Sequence, residues 1–434
     1  MRTPRALALG LCSALLTLTA GGTAYAQVPR AELPPVAIPE IANDVAVADN
    51  GTSLLSLHDL KQVGVVRSDG ALTTIDLGCE PTAVAIQPDG NRGWAVCVSD
   101  PHIHAIDLVT RKVEVASVDL VDPVQLAYSP AQDLLVAGGV SGQIVTVEVA
   151  GGNYLKRSTF SVGGDLSALT LSKDGKTGYA ASYVSQITRI DVLAGSGKTL
   201  ELSGGSFSIT SLSLSPSGAT LYAAGAKGGA APIPDSVVLA LDPTTGDVLQ
   251  EKAYVMSPEG FSTITVAACH RTLYVGAGLG VDIGTITTGV FGIALDVTGR
   301  MGATTSVISQ PAFVSTLGVG PSCTHGSAVT TNQELLRWTA EDPPYPASIA
   351  ITGSLAKGQL TLTGVSGGLA TGTKVSVYVK VSGKKGATFV KQRKQAVIGT
   401  DGQFTWKGAV TGARVSVYVQ AQDVKSTTIT VRGR

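Results

Sequence analysis

Thr82-Ala83-Val84-Ala85-Ile86-Gln87-Pro88-Asp89-Gly90-Asn91-Arg92-Gly93-Trp94-Ala95-Val96, running on to Ile106-Asp107, is the phrase whose reading decides the fold. It holds an alternating strand, a tight Asp-Gly turn, a second apolar strand with small residues, and a third strand that ends in Asp. The phrase returns around Ser129-Pro130, Ser172-Lys173-Asp174-Gly175, Ser215-Pro216-Ser217-Gly218 and Ala267-Ala268. Counted at the turn, the steps are 42, 43, 43 and 52 residues. A period of about 40–50 residues carried by strand pairs and Gly-rich turns is the mark of a β-propeller.

The physics inside one unit is simple. Alternation over 166–171 and 210–214 predicts half-buried strands. Gly175 and Gly218 supply the positive φ of the turn. Tyr179-Ala180-Ala181 and Tyr222-Ala223-Ala224 centre the second strand, where small residues leave room for the neighbouring blade. Asp107, Asp191, Asp242 and Asp296 open the hairpin to the outer strand. The stretch 43–341 has room for seven such blades; the seventh, near 313–338, is degenerate, and Val36-Ala37-Ile38 is the strand expected to close it. The expected fold class of this stretch is therefore all-β, a seven-bladed propeller.

Ahead of the propeller, Arg2, Arg5, the apolar run 6–20 and Ala24-Tyr25-Ala26 read as an export signal over 1–26. Residues 27–42 form a Pro-rich arm, 342–346 a Pro-rich linker, and 347–434 a separate domain. No stretch after the signal approaches the roughly 20 apolar residues of a membrane helix, so the protein is expected to be secreted or wall-associated and not membrane-spanning. Four cysteines remain, and outside the cell an even count permits two bridges. Cys79 with Cys97 and Cys269 with Cys323 is the expected pairing; buried free thiols are the alternative.

A formal net charge of zero conceals an asymmetry. Residues 347–434 carry thirteen Lys and Arg against Asp401 and Asp423, while 27–346 hold 17 basic and 30 acidic groups. A domain of +11 thus follows a body of −13.

Pro81-x-x-Val84-Ala85-Ile86-x-Pro88-Asp89-Gly90, followed by Trp94-Ala95-Val96-Cys97 and Ile106-Asp107, resembles the YVTN-type propeller repeat, a family grouped with lactonase-like propellers. The tetrapeptide that names the family stands here as Trp94-Ala95-Val96-Cys97 or Tyr179-Ala180-Ala181-Ser182, so the resemblance implies the fold and no active-site residues. Asp242-Pro243-Thr244-Thr245-Gly246 is similar to a quinoprotein repeat, but its docking Trp is missing and no quinone is implied. Thr373-Lys374-Val375-Ser376-Val377-Tyr378-Val379 and Ala413-Arg414-Val415-Ser416-Val417-Tyr418-Val419 alternate strictly, and 347–434 resembles a bacterial immunoglobulin-like domain.

Three sets of candidate site residues follow. Measured from the Tyr-like position to the Asp, blades 1, 5 and 6 need 21, 20 and 22 residues against 12 or 13 in blades 2 to 4. Long loops on one face make a recognition arc, with His58, Asp59, Asp235 and Asp282 as its polar candidates for a protein or glycan ligand. Glu80, Asp122 and Asp165 occupy equivalent positions before the turn; if they converged on the channel mouth they would suit Ca²⁺ or polarise a water, although no cofactor is expected. Lys380, Lys384, Lys385, Lys391, Arg393 and Lys394 surround one hairpin of the basic domain. They lack aromatic interleaving in the sequence, which argues against nucleic acid and for an anionic cell-wall polymer, lipid head groups or the acidic propeller itself. His102 and His104 share one side of a strand but do not close a zinc site. The expected function is a secreted binding protein, with a lactonase-like or cation-assisted hydrolase as the alternative.

Overall fold

The computed structural model describes residues 30–432, apart from 184–185, 204, 229–234, 255–263, 282–284, 297–298, 310–311, 343–347, 368, 370–371, 382–386, 400–402 and 413. The described residues form strands and turns and no helix, so none is long and apolar enough to cross a membrane.

Each sequence unit becomes a four-stranded antiparallel sheet. Blade 2 runs Pro81–Ile86, Arg92–Cys97, His102–Asp107 and Lys112–Ser117 in simple up-and-down order. Blade 1 consists of Val45–Val47, Ser53–Leu57, Gln62–Val66 and Leu72–Asp76. Blades 3 to 6 begin with Pro123–Ser129, Leu166–Leu171, Phe207–Leu214 and Thr265–Ala268. Seven such sheets are present among the described residues, and their first strands lie side by side in a closed cycle. The fold is a β-propeller.

The turns behave as the repeat chemistry requires. The Gly90, Gly175 and Gly218 amides donate to the carbonyls of Gln87, Ser172 and Ser215, with φ of 71°, 68° and 74°. Glycines in the second strands meet the adjoining blade. A Cβ on Gly138 would lie 2.1 Å from Leu166, and one on Gly276 would lie 2.5 Å from Val314. Larger residues there would force neighbouring sheets apart. Between blades the interior is largely apolar, with Trp94 and Trp338 fully buried.

Closure is made by the N-terminal segment. Arg30–Ala37 pairs antiparallel with Glu334–Ala340 and forms the outer strand of blade 7, beside His325–Thr330 and Val314–Val319. The segment expected to be an arm is thus part of the ring, and its strand extends well beyond Val36 and Ala37. Arg337 locks this clasp: its buried guanidinium donates to the carbonyls of Arg67 and Ser68 at 3.1 Å and of Pro34 at 3.2 Å. Arg30 reaches blade 6, donating to Thr272 Oγ1 at 3.2 Å and lying 5.3 Å from the Tyr274 ring centroid. Arg30 and Ala340 are register partners, so both ends of the ring emerge on the face carrying the Asp-Gly turns.

Residues 348–432 make a two-sheet sandwich. Ser348–Ala356, Gln359–Gly367 and Gln403–Ala409 form one sheet, and Lys374–Val381 and Arg414–Ala421 centre the other. Val375, Val377, Val379, Val415, Val417 and Val419 alternate inward onto Leu360, Leu362, Phe404 and Trp406. The apolar cluster of this sandwich contains no propeller residue, which marks it as a unit with its own core.

Two disulfides are present. Cys79–Cys97 joins the approach to blade 2 with its second strand, and Cys269–Cys323 ties blade 6 to blade 7; the Cα atoms are 5.8 and 5.6 Å apart.

Candidate functional site

The first strands enclose an axial cavity of 350 Å³. Most of them carry a register shift near the start, and the residue at the shift turns toward the axis. In blade 3 that residue is Val124, and in four other blades it is Thr82, Ser167, Thr210 or Ser315, whose hydroxyls each donate to the carbonyl 14 residues on, in the same blade. Thr82 also donates to Pro123 O at 2.7 Å and Thr210 to Ile264 O at 3.0 Å, so these hydroxyls stitch one blade to the next. Asp44 is the one charged residue among the described residues lining the cavity. Its carboxylate accepts the Val45 amide at 2.8 Å and the Val84 amide at 3.0 Å. Burial pushes its carboxyl above the usual range, and those two amides oppose the shift.

A polar rim surrounds the mouth on the face opposite the Asp-Gly turns. In blade 1, residues 58–61 turn tightly between the second and third strands, with Lys61 at φ 57°. Glu80 stands between His58 Nε2 at 3.9 Å and Lys61 Nζ at 3.6 Å, and His58 Nδ1 lies 3.3 Å from Pro81 O. Glu40 joins this group; burial first, and the Asp59 carboxylate in addition, raise its carboxyl above the ordinary value against the amides of Leu60 and Asp59. Further along the rim, the Asp100 carboxylate spans two imidazoles: His102 Nδ1, and His104 Nε2 at 2.9 Å. Burial works to raise the Asp100 carboxyl, but hydrogen bonds with His104 and His102 outweigh it and hold it below the usual range. The Ser99 hydroxyl donates to Asp122 at 3.3 Å. Ser99, Asp119 and Asp122 all have positive φ, so backbone strain gathers on this rim.

The recognition arc is accordingly redrawn. Blade 1 has no long loop: the third strand ends at Val66 and 67–71 makes the turn, whereas Asp76 closes the fourth strand. His58 and Asp59 therefore sit in a short turn, Asp59 exposed and His58 half-buried. In blade 6 the extra length goes into the long strands Thr272–Val281 and Thr285–Leu295, and Asp282 lies outside the described residues. Asp235 opens the third strand of blade 5.

Glu80, Asp122 and Asp165 are not drawn together. Glu80 is held by His58 and Lys61, Asp122 by Ser99, and Asp165 is exposed. Among the described residues, the metal-ligating side chains whose donor atoms gather within 4.8 Å are instead Cys79, Cys97 and His104.

The sandwich presents a second surface. Tyr378 and Tyr418 are register partners on the outer face and stack at 4.7 Å with 9° between planes; Phe389 meets Tyr418 edge-on at 4.8 Å. Lys425 Nζ lies 3.9 Å from the Tyr418 centroid and Lys380 Nζ 6.0 Å from that of Phe389. Lys391 pairs across from Tyr378, and Arg414 from Arg432. Arg393 and Lys394 are exposed nearby, while Lys384 and Lys385 lie outside the described residues. Cations and aromatics that are scattered in the chain are thus interleaved on one sheet face, with no ion pair among the described residues of the sandwich.

Fold and site together define a β-propeller protein with a polar rim around an axial cavity and an appended basic sandwich. No protein-family model and no curated protein matches the chain. Among solved structures, it is similar to a chain of the crystal structure of the mitotic checkpoint complex, with a TM-score of 0.56 and 13% identity over 78% of this chain and 99% of that one. That likeness concerns the fold alone.

Proposed function

We propose that this is an exported binding protein. A YVTN/lactonase-like propeller presents the polar rim to a protein or glycan ligand, and a basic immunoglobulin-like domain holds it on an anionic polymer of the cell envelope. The observation that carries the reading is the outer sheet face of the sandwich. Lys380, Lys391, Lys425, Arg414 and Arg432 share it with no carboxylate partner among the described residues, and two of the lysines are steadied over aromatic rings. Several cations ordered on one sheet face favour a polyanion over a compact ligand. The two disulfides and the signal-like segment at 1–26 support export. A cation-assisted hydrolase would need the rim carboxylates to share one centre, and Glu80 is engaged by His58 and Lys61 instead.

The test is cosedimentation of the full chain with bare cell envelopes across a salt series, beside a variant carrying Lys380→Gln, Lys391→Gln and Lys425→Gln. The full chain should pellet at about 0.05 M salt and be released toward 1 M, as the screening length falls to about 3 Å. The triple variant should stay soluble throughout. If the full chain never pellets, the basic domain faces its own acidic propeller and the anchoring role is refuted.

A further inference from the structure

The geometry points to a zinc site, formed by Cys79, Cys97 and His104 with Asp100 beside them, that the Cys79–Cys97 disulfide keeps closed. Three donors are already gathered: both sulfurs and an imidazole nitrogen of His104 lie within 4.8 Å of one another. In a tetrahedral site with Zn–S of about 2.3 Å and Zn–N of about 2.0 Å, sulfur and nitrogen stand roughly 3.5 Å apart and two sulfurs roughly 3.8 Å apart. Cys79 Sγ is now 3.3 Å from His104 Nε2, close to that separation. What the oxidised protein lacks is the distance between the sulfurs, which side-chain rotation supplies once the bond is broken. Asp100 Oδ2 lies 2.9 Å from the same His104 nitrogen but outside the set of donors within 4.8 Å of one another, so the fourth position falls to it only if its turn shifts, and to water otherwise.

The support is rigid on one side and pliable on the other. Cys97 and His104 stand on the paired strands Arg92–Cys97 and His102–Asp107 and are almost wholly buried, at 0% and 4% exposure. Cys79 and Asp100 lie in two turns fastened by the Val98 amide donating to Glu80 O at 2.9 Å. Cys79 is half-buried and Cys97 wholly buried, so Cys79 is the more exposed half of the disulfide. His102, the other group facing Asp100, holds Oδ1 and leaves Oδ2 on the side of His104.

The chemistry balances as follows. A dithiol R(SH)₂ attacks the disulfide and is oxidised to its own disulfide, and two electrons and two protons convert Cys79 and Cys97 to thiols. Zn²⁺ then replaces the thiol protons, which leave to solvent, because the thiolate is the ligand. A zinc-bound Nε2 carries no proton, so the neutral imidazole would hold its proton on Nδ1, a nitrogen with no partner among the described residues in the oxidised form. A disulfide sulfur is a poor donor, so capture of a borderline-soft divalent cation is confined to the reduced state.

Cobalt reports on this site directly. Full-length protein is treated with a dithiol, desalted without air and titrated with Co²⁺, with circular dichroism recorded first. Reduced protein should bind one equivalent, showing a thiolate-to-cobalt charge-transfer band and the visible bands of tetrahedral Co²⁺, both removed by Zn²⁺. Oxidised protein should show neither. His104→Gln should weaken binding at least tenfold, while Cys269→Ser with Cys323→Ser should leave the spectrum intact; each variant's fold is checked by dichroism in the oxidised state. The proposal is overturned by a reduced protein that binds no cobalt, whether or not it keeps its β signal. Equal bands in both redox states, or a spectrum lost with Cys269 and Cys323 rather than with His104, also overturn it.

Discussion

Replacing Asp342 with Asn should stabilise this protein at neutral pH and leave it nearly unchanged in acid. Asp342 follows the third strand of blade 7, is buried, and accepts the Arg271 amide of blade 6 at 2.9 Å. Burial lifts its carboxyl from 3.8 to about 6, against the pull of that amide, Thr272, Arg271 and Arg30. Because the folded state holds the proton more tightly than the unfolded chain, stability is highest below the unfolded value and falls as pH rises from about 4 through 6. A shift of about two units at 1.36 kcal/mol each amounts to a penalty of roughly 3 kcal/mol above pH 7. Asn keeps an oxygen for the Arg271 amide and removes the buried charge. Urea denaturation of both proteins from pH 3.5 to 8 should show a difference near zero at the acid end, growing to about 3 kcal/mol and then flat. A difference independent of pH, or an Asn variant weaker at pH 7.5, would refute the reasoning and show that the charge serves Arg30 and Arg271.

Three further outcomes are expected. Removing Cys269–Cys323, which spans 54 residues, should cost about 4 kcal/mol, and removing Cys79–Cys97, which spans 18, about 3, read from guanidinium midpoints under oxidising conditions. Gly225→Ala would place a Cβ 1.9 Å from Ser208 O and should cost about 2–3 kcal/mol by thermal denaturation. Gly218→Ala meets nothing within 4 Å and should cost only the about 1–2 kcal/mol of its left-handed backbone. Trp406→Ala removes a buried ring and its 2.8 Å bond to Lys394 O; calorimetry should show a sandwich transition weakened by about 3–5 kcal/mol beside an unchanged propeller transition.

The repeat was legible because its physics is local: Gly175 makes its turn, Ala180 and Ala181 fit between sheets, and Asp191 opens the next hairpin, all within a short span. Blade 1 misleads because its third strand runs into Arg67-Ser68-Asp69-Gly70, leaving Asp76 as the conspicuous carboxylate. The axial hydroxyls depend on bulges, which leave no local mark beyond recurring Ser and Thr at 82, 167, 210 and 315. Asp44 reads as an ordinary turn former until two amides from different blades close on it. The basic face needs Tyr378 set opposite Tyr418, a pairing that only the assembled sheet creates.

Arg30 and Ala340 sit side by side on the face away from His58, Glu80 and Asp100. The chain therefore leaves the ring for the sandwich on the face opposite that rim. Entry and exit of the ring thus share one pole, and a bulky molecule at the rim would not meet the points where the chain joins the ring.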